Sequence, residues 1–375
     1  MLFSDLFAYL SNNTLSRAEL SNSGKVRNIH YGDVLIKYGE VIDIEHTEIP
    51  YVADVSRLRK PDYLSTGDVV IADTAEDDTV GKAVEIINNS SIAVVSGLHT
   101  IPCRPKERFV PSYLGYYVNS APFHTQLHPY MQGIKVTSIS KGNIGKTYIS
   151  SPDLEEQQKI TSLLNLLSSR IEKQRQLVEA LKSYKRGLLK HIFDDHYGSG
   201  WHEVSLGEIS QITMGQSPDS ASYNIDQIGL PLVQGNADIT DGITTPQRYT
   251  SAPTKICDAG SIILSVRAPV GSVSWANQRL CLGRGVCAIT AQNTKFLYQL
   301  LIHHQDDWKR IEQGGTFTAI SGDDISSFKV SVPNKDTQST ISFFLSKYDA
   351  MEQREENVLR VLQRQKAALL QQLFI

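Results

Sequence analysis

A long-range internal repeat constrains the fold of this chain more than any other feature of its sequence. When the sequence is shifted by 181 positions, residues 131–193 align without a gap with residues 312–374, and 16 of the 63 aligned pairs are identical. Self-similarity at a fixed offset indicates that one structural unit is present twice. The sequence therefore predicts an internal duplication in which both halves end in the same element.

The match is weaker towards the N-terminal side of each half. Residues 29–33 resemble residues 233–236, and residues 67–71 resemble residues 260–264, with gaps between these short matches. We therefore expect one shared scaffold whose two N-terminal portions have diverged.

Each half ends in a long amphipathic helix. Apolar residues recur alternately every three and four positions from Ile160 to Ile192, and again from Ile341 to Leu373. This spacing is typical of a coiled coil, and we call these positions the seam. Each helix has about 40 residues, or ~60 Å at 1.5 Å per residue. One small domain cannot bury so long a seam, so we expect the two helices to pair. The predicted pairing residues are Ile160, Leu164, Leu167, Val178, Leu181, Leu188, Ile341, Leu345, Leu359, Leu362, Leu369 and Leu373.

Capping signals mark the start of both helices. Pro152 precedes Asp153, with Glu156 three residues later, and Pro333 and Asn334 occupy the equivalent positions. Aspartate and asparagine side chains accept hydrogen bonds from the first backbone N–H groups of a helix. We therefore expect the helices to begin just after Asp153 and Asn334.

The blocks before the two helices are rich in β-branched residues. Short apolar runs, separated by Gly, Pro, Asn and Asp, predict strands of a mixed sheet at residues 34–36, 69–71, 92–95, 262–264 and 286–289. Short helices are expected near residues 113–117 and 296–308, and residues 193–200 form a linker. The predicted class is α+β, with β-rich domains at 1–151 and 194–332 and long helices at 152–193 and 333–375.

Composition excludes several classes of protein. The chain has 375 residues, of which 41% are hydrophobic and 21% charged, and no apolar run approaches the ~20 residues that span a bilayer. We expect a cytoplasmic protein with no membrane association. Cys103, Cys257, Cys281 and Cys287 form no C-x-x-C pair, so we expect buried free thiols rather than zinc ligands or disulfides. The two β-rich blocks carry net charges of −2 and −5, which favours weak DNA binding by the isolated chain.

Motifs of catalysis are missing or occur in the wrong context. Residues 145–147 (Gly-Lys-Thr) imitate the end of a phosphate-binding loop, but Ser140 stands where its first glycine belongs. Asp307-Trp-Lys309 imitates part of a nuclease motif inside an expected helix, and His303-His304 is more typical of a surface pair than of a metal site. The sequence therefore predicts a binding or scaffold protein, not an enzyme, with no metal of its own.

The order of these elements resembles the specificity subunit of type I restriction-modification systems. The resemblance covers nearly the whole chain and rests on several segments rather than on one diagnostic motif. These segments are Asp153-Leu-Glu-Glu-Gln-Gln-Lys-Ile160, residues 176–189 with Phe193, Trp201-His-Glu-Val-Ser-Leu206, Pro231-Leu-Val-Gln-Gly-Asn236, Leu282-Gly-Arg-Gly285, Asn13-Thr-Leu-Ser-Arg17 and Ile29-His-Tyr-Gly-Asp33.

This resemblance implies two target-recognition domains joined by an antiparallel pair of helices, with pseudo-twofold symmetry. It implies recognition of an asymmetric, bipartite site in double-stranded DNA, and helices that fix the separation of the half-sites. The implied partners are two methyltransferase subunits and, where present, restriction subunits. S-adenosylmethionine, ATP and magnesium are expected only on those partners, and no cofactor is expected on this chain. The first domain lacks the Trp-x-x-Val-x-Leu opening that precedes the second.

Candidate DNA-contacting residues are hydrogen-bonding side chains in the expected loops. Arginine pairs with guanine, and asparagine and glutamine pair with adenine, in the commonest base contacts. The candidates are Arg17, His30, Tyr31, Lys37, His99, Lys135, Thr137 and Ser138 in the first domain, and Gln216, Ser217, Gln234, Asn236, Arg267, Arg284, Thr316 and Thr318 in the second. Ordinary solvation of a loop is the alternative for each.

Three points stay open at the level of sequence. The repeated seam residues Lys185 and Lys366 either extend their amino groups to solvent, which we expect, or meet the methyltransferase. The polar seam positions Glu352 and Gln174 are either loosely packed or face a partner. The alternative to DNA recognition is a coiled-coil scaffold whose globular ends bind proteins.

Overall fold

The chain divides into two compact units that each combine one globular domain with parts of both long helices. The computed structural model describes residues 1–133, 136–240, 242–308 and 319–374. The first unit contains residues 1–175 and 357–375, and the second contains residues 176–356. The predicted α+β class is confirmed. The four domain ranges drawn from the sequence stay a prediction, because these compact units cut across both helices.

The first unit contains two main sheets and a short strand pair. Their strand orders are β1-β10-β6-β8-β4, β2-β5-β3-β9 and β11-β7. The strands are β1 (Phe7–Tyr9), β2 (Leu20–Ser21), β3 (Arg27–Ile29), β4 (Val41–Asp43), β5 (Tyr51–Val52), β6 (Val69–Ala72), β7 (Thr74–Ala75), β8 (Ala83–Ile87), β9 (Val94–Ser96), β10 (Thr100–Pro105) and β11 (Thr137–Ser138).

The second unit repeats this arrangement with small additions. Its strand orders are β13-β23-β20-β21-β17-β16, β14-β18-β15-β22-β19 and β12-β24. The strands are β12 (His202–Ser205), β13 (Ser210–Met214), β14 (Tyr223–Asn224), β15 (Leu230–Val233), β16 (Ile239–Thr240), β17 (Ile243–Thr244), β18 (Arg248–Thr250), β19 (Ile256–Cys257), β20 (Ile262–Ser265), β21 (Val273–Trp275), β22 (Leu280–Leu282), β23 (Val286–Ala291) and β24 (Lys329–Val332).

Backbone hydrogen bonds fix which positions of the two units are equivalent. Strand β3 runs parallel to β9, and β15 runs parallel to β22. Three backbone hydrogen bonds of the first unit each have a counterpart in the second, and all six are 2.7–2.9 Å long. In the first unit the N–H groups of Gly97, Asn13 and Ile139 donate to the carbonyl oxygens of Ile29, Ser96 and Asp73, respectively. In the second unit the N–H groups of Gly283, Gln216 and Ile320 donate to those of Val233, Leu282 and Val266. The weak sequence matches at residues 29 and 67 therefore mark equivalent structure.

Short helices accompany the sheets. Those of the first unit are Phe3–Leu6, Tyr31–Ile36, Tyr113–Val118, Ala121–Leu127 and Lys141–Ile144, and those of the second are Leu206–Ile209, Thr294–His303 and Gly322–Ser327. The helices predicted near residues 113 and 296 are confirmed. The strand predicted at residues 34–36 is wrong, because His30 starts a helix there by accepting a hydrogen bond at Nδ1 from Gly32 N (3.2 Å).

The two long helices begin where the capping signals place them. The central helix is Leu154–Phe193 and the C-terminal helix is Lys335–Gln372. Asp153 Oδ1 accepts a hydrogen bond from Glu156 N (2.8 Å), and Asn334 Oδ1 accepts one from Thr337 N (2.9 Å). Both expected caps are therefore present.

The seam is the buried face of both helices, but its ends pack against the globular domains. Ile160 and Leu164 belong to the core of the first unit, with Leu369 and Leu373 packed against it. Ile341 and Leu345 belong to the core of the second unit. The globular domains therefore cover the ends of the seam, and the list of pairing residues stays a prediction. Val178 and Leu362 are also buried, and Leu167, Leu181, Leu188 and Leu359 are half-buried.

A phenylalanine at the end of each long helix completes the core of its unit. The Phe374 ring lies 5.8 Å from that of Tyr113 and 5.4 Å from that of Tyr117 in the first unit. Phe193, the equivalent residue 181 positions earlier, lies 5.8 Å from Phe296 in the second unit. Both phenylalanines are buried, so the residues at the ends of the repeat have the same structural role.

Ion pairs join the two long helices within the second unit. Lys182 Nζ lies 2.7 Å from Glu356, and Lys185 Nζ lies 2.7 Å from Asp349 and 3.8 Å from Glu352. The residue numbers rise on one helix as they fall on the other, so the helices run antiparallel here. Burial raises the pKa of Glu352, and the adjacent Lys185 opposes that rise. The polar middle of the seam is thus held by charge pairing.

The repeated seam lysines do not extend to solvent as expected. The side chains of Lys185 and Lys366 are only 17% and 16% exposed. Lys366 Nζ contacts Glu40 Oε2 at 2.6 Å and lies 5.5 Å from the centre of the Tyr116 ring. Each lysine is therefore used inside its own unit, because a carboxylate lies within reach.

Two further expectations concern cysteines and membranes. All four cysteines are buried free thiols, as predicted. None of the helices in the described ranges is long and apolar enough to cross a lipid bilayer.

A buried carboxylate fixes the start of helix Tyr113–Val118. Glu85, on β8, is 1% exposed. Its carboxylate oxygens accept hydrogen bonds from the backbone N–H groups of Ser112 (2.8 Å) and Gly115 (2.7 Å). Burial raises the pKa of Glu85 from 4.5 to about 7, and the hydrogen bonds oppose that rise only in part.

We predict that the first unit loses stability as pH rises from 4.5 to about 7. Within this range the folded unit keeps a proton that the unfolded chain has released, so deprotonation favours unfolding. The effect is at most about 3 kcal/mol. Urea unfolding at both ends of the range should show a steeper loss for the wild type than for Glu85→Gln. Glu107→Gln, which removes an exposed carboxylate, should keep the wild-type slope. Equal slopes for all three proteins would contradict the assignment.

Candidate nucleic-acid interface

The second unit contains a large cleft at one edge of its sheets. The cleft has a volume of 1020 Å³ and is formed by loops that follow β13, β15, β20 and β22, together with the start of β18. Its lining includes Ser217, Ser220, Tyr223, Gln234, Asn236, Asp238, Gln247, Arg248, Arg267 and Arg284. Side chains from distant parts of the second unit therefore meet on one surface.

Two glycines allow these loops to pack closely. A Cβ atom on Gly285 would overlap with the carbonyl oxygen of Gln234, and one on Gly283 would lie 3.0 Å from Val233 O. Gly283 N also donates a hydrogen bond to Val233 O (2.7 Å). The Gly-Arg-Gly segment thus lies against the loop after β15, and exposed Arg284 projects at its turn. Its backbone N–H donates to Ser217 Oγ (3.1 Å).

The charge of the cleft is positive although the second domain is acidic. Arg248, Arg267 and Arg284 are all exposed on its lining. Within the described ranges, none of the three forms an ion pair with a carboxylate. The acidic lining residue Asp238 accepts a hydrogen bond from Gln234 N (2.7 Å). Three guanidinium groups on one concave surface are suited to an anionic polymer.

Most candidate residues of the second domain come together here. Ser217, Gln234, Asn236, Arg267 and Arg284 line the cleft. Gln216 is adjacent and is held by its backbone N–H to Leu282 O (2.9 Å). Thr316 and Thr318 lie outside the described residues. Their contacts with DNA stay predictions.

Sequence reasoning missed Arg248 and Gln247. Neither has a glycine neighbour or a counterpart in the repeat that would have singled it out. Arg248 reaches the cleft because β18 pairs with β15, where Arg248 lies opposite Leu232. Only knowledge of that strand pairing could have found it.

Three aromatic candidates of the first unit form a cluster at the equivalent edge. The Tyr31 ring lies 4.7 Å from that of His30 and 5.3 Å from that of His99. His99 Nδ1 lies 3.3 Å from Asp73 and 3.4 Å from Thr74 Oγ1. Burial and the nearby charge of Arg17 lower the pKa of His30, which favours the neutral ring that accepts from Gly32 N. Thr137 and Ser138 adjoin this cluster, since β11 pairs with β7.

The remaining candidates of the first unit are placed differently. Arg17 makes a bidentate ion pair with Asp33, with distances of 2.8 and 2.9 Å. Lys37 Nζ donates to Glu48 O (2.7 Å) and lines a separate cleft of 590 Å³. Lys135 lies outside the described residues. Arg17 and Lys37 are thus already engaged within the domain, and their roles towards DNA stay predictions.

Equivalent positions in the two units carry different side chains. The register set by Gly97 and Gly283 makes Leu98 the counterpart of Arg284. Ser138 and Ala319 are equivalent in the repeat, because they lie 181 positions apart. Ser138 pairs with Thr74 and Ala319 pairs with Arg267, so Thr74 is the counterpart of Arg267. One scaffold therefore presents a mainly aromatic and histidine surface in the first unit and an arginine surface in the second.

Comparisons with known proteins agree with this fold. Residues 198–361 match the family model of the type I restriction modification DNA specificity domain. A type I restriction enzyme MjaX specificity subunit of Methanocaldococcus jannaschii is 29% identical over an alignment of 333 residues. The alignment covers 82% of this chain and 77% of the relative. The chain is thus similar to the specificity subunits of type I restriction enzymes.

Solved structures share the fold of this chain. A type I restriction-modification S subunit of M. genitalium has a TM-score of 0.63 at 15% identity and covers 100% of this chain and 95% of its own. A chain from a study of complex assembly and conformational transition of a type I system has a TM-score of 0.61 at 24% identity, with coverages of 100% and 96%. At these identities the two structures support the fold.

No metal site was found in the part of the chain that the structure describes. There, no three His, Cys, Asp or Glu side chains are placed to hold one ion.

We predict that Gly285→Ala deforms the cleft and destabilises the second unit by about 1–3 kcal/mol, because the added methyl group overlaps with the backbone at Gln234. Hydrogen exchange of residues 233–236 should become faster. Gly187→Ala is the control, since no atom lies within 4 Å of its added Cβ. In a helix interior this change should stabilise by up to about 1 kcal/mol. Wild-type exchange in Gly285→Ala would show that the loops do not pack as described.

Proposed function

We propose that this chain is the DNA-sequence recognition subunit of a type I restriction-modification complex. The cleft that gathers Arg248, Arg267 and Arg284 with Gln234 and Asn236 is the observation that carries this proposal. The match of residues 198–361 to the DNA specificity domain model supports this proposal. The match also favours DNA recognition over a coiled-coil scaffold that binds proteins.

Recognition by the second domain uses the common donor and acceptor pairings of the major groove. Arginine forms bidentate hydrogen bonds to guanine, and amide side chains form them to adenine. The first domain presents Tyr31, His30 and His99 at its equivalent edge instead. Because these chemistries differ, the two half-sites differ in sequence, and the target is bipartite and asymmetric. The long helices set the separation of the half-sites.

The chain acts without catalysis of its own. Methyltransferase and restriction subunits carry S-adenosylmethionine, ATP and magnesium, while this chain binds double-stranded DNA in the cytoplasm and positions them. This division of labour is supported by the similarity of the chain to a type I restriction enzyme specificity subunit.

Two methyltransferase subunits bind one copy of this chain. An exposed apolar residue occurs at the same position in both halves of the repeat. Leu163 on the central helix is 45% exposed, and its equivalent 181 positions later, Phe344 on the C-terminal helix, is 50% exposed. Phe343 and Leu166, at 68% and 72%, enlarge these two patches. Exposed apolar groups that recur in both halves are suited to two copies of one partner.

We predict that Leu163→Asp and Phe344→Asp each remove one methyltransferase copy and that the double variant removes both. A charge placed in an apolar interface is desolvated without a partner. The mass of the purified complex, measured by light scattering, gives the stoichiometry. Val361→Asp is the control, because Val361 is 52% exposed but its counterpart is Ala180. Two bound copies in the double variant would show that these patches are not the interface.

We predict that Arg284→Ala weakens binding of the target by about 1–3 kcal/mol and relaxes one base position in the second half-site. The first half-site should be unaffected. The measurement is binding of the complete complex to targets that carry single base changes. Arg279→Ala is the matched control, which removes an arginine from the other end of β22. Arg279 precedes that strand and lies 3.5 Å from Asp258, whereas Arg284 follows the strand. Uniform weakening across all sequences would make Arg284 a phosphate contact instead.

A further inference from the structure

The first unit contains a second polar cleft that none of the candidate residues lines. It has a volume of 520 Å³. Two segments form most of its wall, the loop after β1 at residues 11–14 and a segment after β5 at residues 56–61, with Val95 and Ser96 between them. Arg57 and Arg59 are its charged lining residues.

This cleft shares a wall with the edge that carries His99. Asn13 N donates a hydrogen bond to Ser96 O (2.9 Å), and Asn12 Nδ2 donates to Gly97 O (3.3 Å). Gly97 begins the loop that ends at His99, and it is the counterpart of Gly283 in the arginine-rich cleft. The wall of the cleft at Asn12 and Asn13 is therefore in direct contact with the start of the loop that carries His99. We call this edge of the first unit its recognition edge.

The first unit needs a source of positive charge at this edge. Its counterparts of Arg267 and Arg284 are Thr74 and Leu98, which are uncharged. Two other arginines of the unit are neutralised, Arg17 by Asp33 and Arg104 by Asp68 at 2.7 Å. Arg59 is exposed, and no acidic partner for it is found among the described residues. It is therefore free to neutralise an anion.

Hydrogen bonds on one side and an ion pair on the other hold the segment that carries Arg59 in place. Ser11 N donates to Asp62 Oδ2 (2.8 Å), and Asp62 N donates to Ser11 Oγ (3.2 Å). On the other side, Arg57 pairs with Glu19. Lys60, between them, has a φ of +47°, a left-handed conformation that is uncommon for a residue with a side chain. The tip is therefore held in one shape rather than left as a free loop.

Most of the amide groups beside the arginines are already used. Asn13 Nδ2 donates to Asn28 Oδ1 (2.6 Å) and Ser96 O (2.8 Å), and Asn13 Oδ1 accepts from Leu15 N (3.0 Å). Asn12 Nδ2 is engaged with Gly97 O. Few groups remain to distinguish one base edge from another. A guanidinium group without such neighbours is suited to phosphate oxygens.

We propose that this cleft binds DNA backbone phosphates next to the half-site recognised by the first domain, with Arg59 as the cation that contacts them. The proposal rests on the proposed function and adds a phosphate subsite to it. The subsite is formed by the segment after β5, and the corresponding segment after β18 in the second domain contains no arginine. The subsite contributes affinity and orientation but no sequence preference.

The test compares Arg59 variants in the complete complex with methyltransferase. Arg59→Ala removes the charge, Arg59→Lys keeps it, and Arg108→Ala is the matched control. Arg108 is exposed and lies beyond the far end of β10, whereas the Gly97–His99 loop precedes that strand. Binding to the target duplex and to a scrambled duplex of equal length is measured over a series of salt concentrations.

We expect Arg59→Ala to weaken binding to both duplexes by the same factor. Loss of one phosphate contact makes the slope of log affinity against log salt concentration shallower by about 0.9. Between about 50 and 200 mM salt, the affinity of the variant therefore falls by a factor roughly 3.5 times smaller than that of the wild type. Arg59→Lys should keep the wild-type slope, and Arg108→Ala should match the wild type.

Four outcomes have distinct meanings. If the wild-type complex does not distinguish the target from the scrambled duplex, the proposed function itself fails. If it does, but Arg59→Ala behaves like Arg108→Ala, the phosphate subsite is overturned. Loss of discrimination at one base position in Arg59→Ala would make Arg59 a base contact, which also overturns it. Loss of methyltransferase from the complex would instead identify the cleft as a protein interface.

Discussion

The packing of each long helix's C-terminal phenylalanine into a globular core is the contact on which the rest of both units depends. Phe374 lies against Tyr113 and Tyr117, and Phe193 lies against Phe296. Burying one such ring contributes about 2–3 kcal/mol. Because Phe374 is separated from Tyr113 by most of the chain, the first unit closes only when the last turns of the C-terminal helix return to it. The first unit therefore combines two separate stretches of sequence, residues 1–175 and 357–375.

The same scaffold supports two chemically different recognition edges. Backbone hydrogen bonds hold the loops after β9 and β22 against the preceding parallel strands, and those bonds do not depend on the side chains that the loops carry. Leu98 and Arg284 thus occupy equivalent positions. Sequence specificity can change at such positions while the fold is kept, which explains why the repeat is clear in the helices and weak in the domains.

Much of the cleft in the second unit could be predicted from sequence, and its missing part shows the limit. Arg284 stands out because glycines lie on both sides of it, and Gln234 because a glycine follows it. Arg248 carries no such signal and reaches the cleft through the pairing of β18 with β15. In the first unit the sequence could not show that Asp33 engages Arg17, since the choice among many carboxylates is made in three dimensions.

By itself, the sequence determined the repeat, the two capped helices, their seam and the α+β class, because periodicity and capping are local properties. It failed at residues 34–36, where β-branched residues predict a strand but the His30 cap and the burial of Val34 favour a helix. Only the tertiary structure decided that the ends of the seam pack into globular cores and that Lys185 and Lys366 form partly buried ion pairs. It also decided that Arg59 lines a cleft together with Val95 and Ser96. These results depend on contacts between residues far apart in the chain, and such contacts leave no periodic pattern in the sequence.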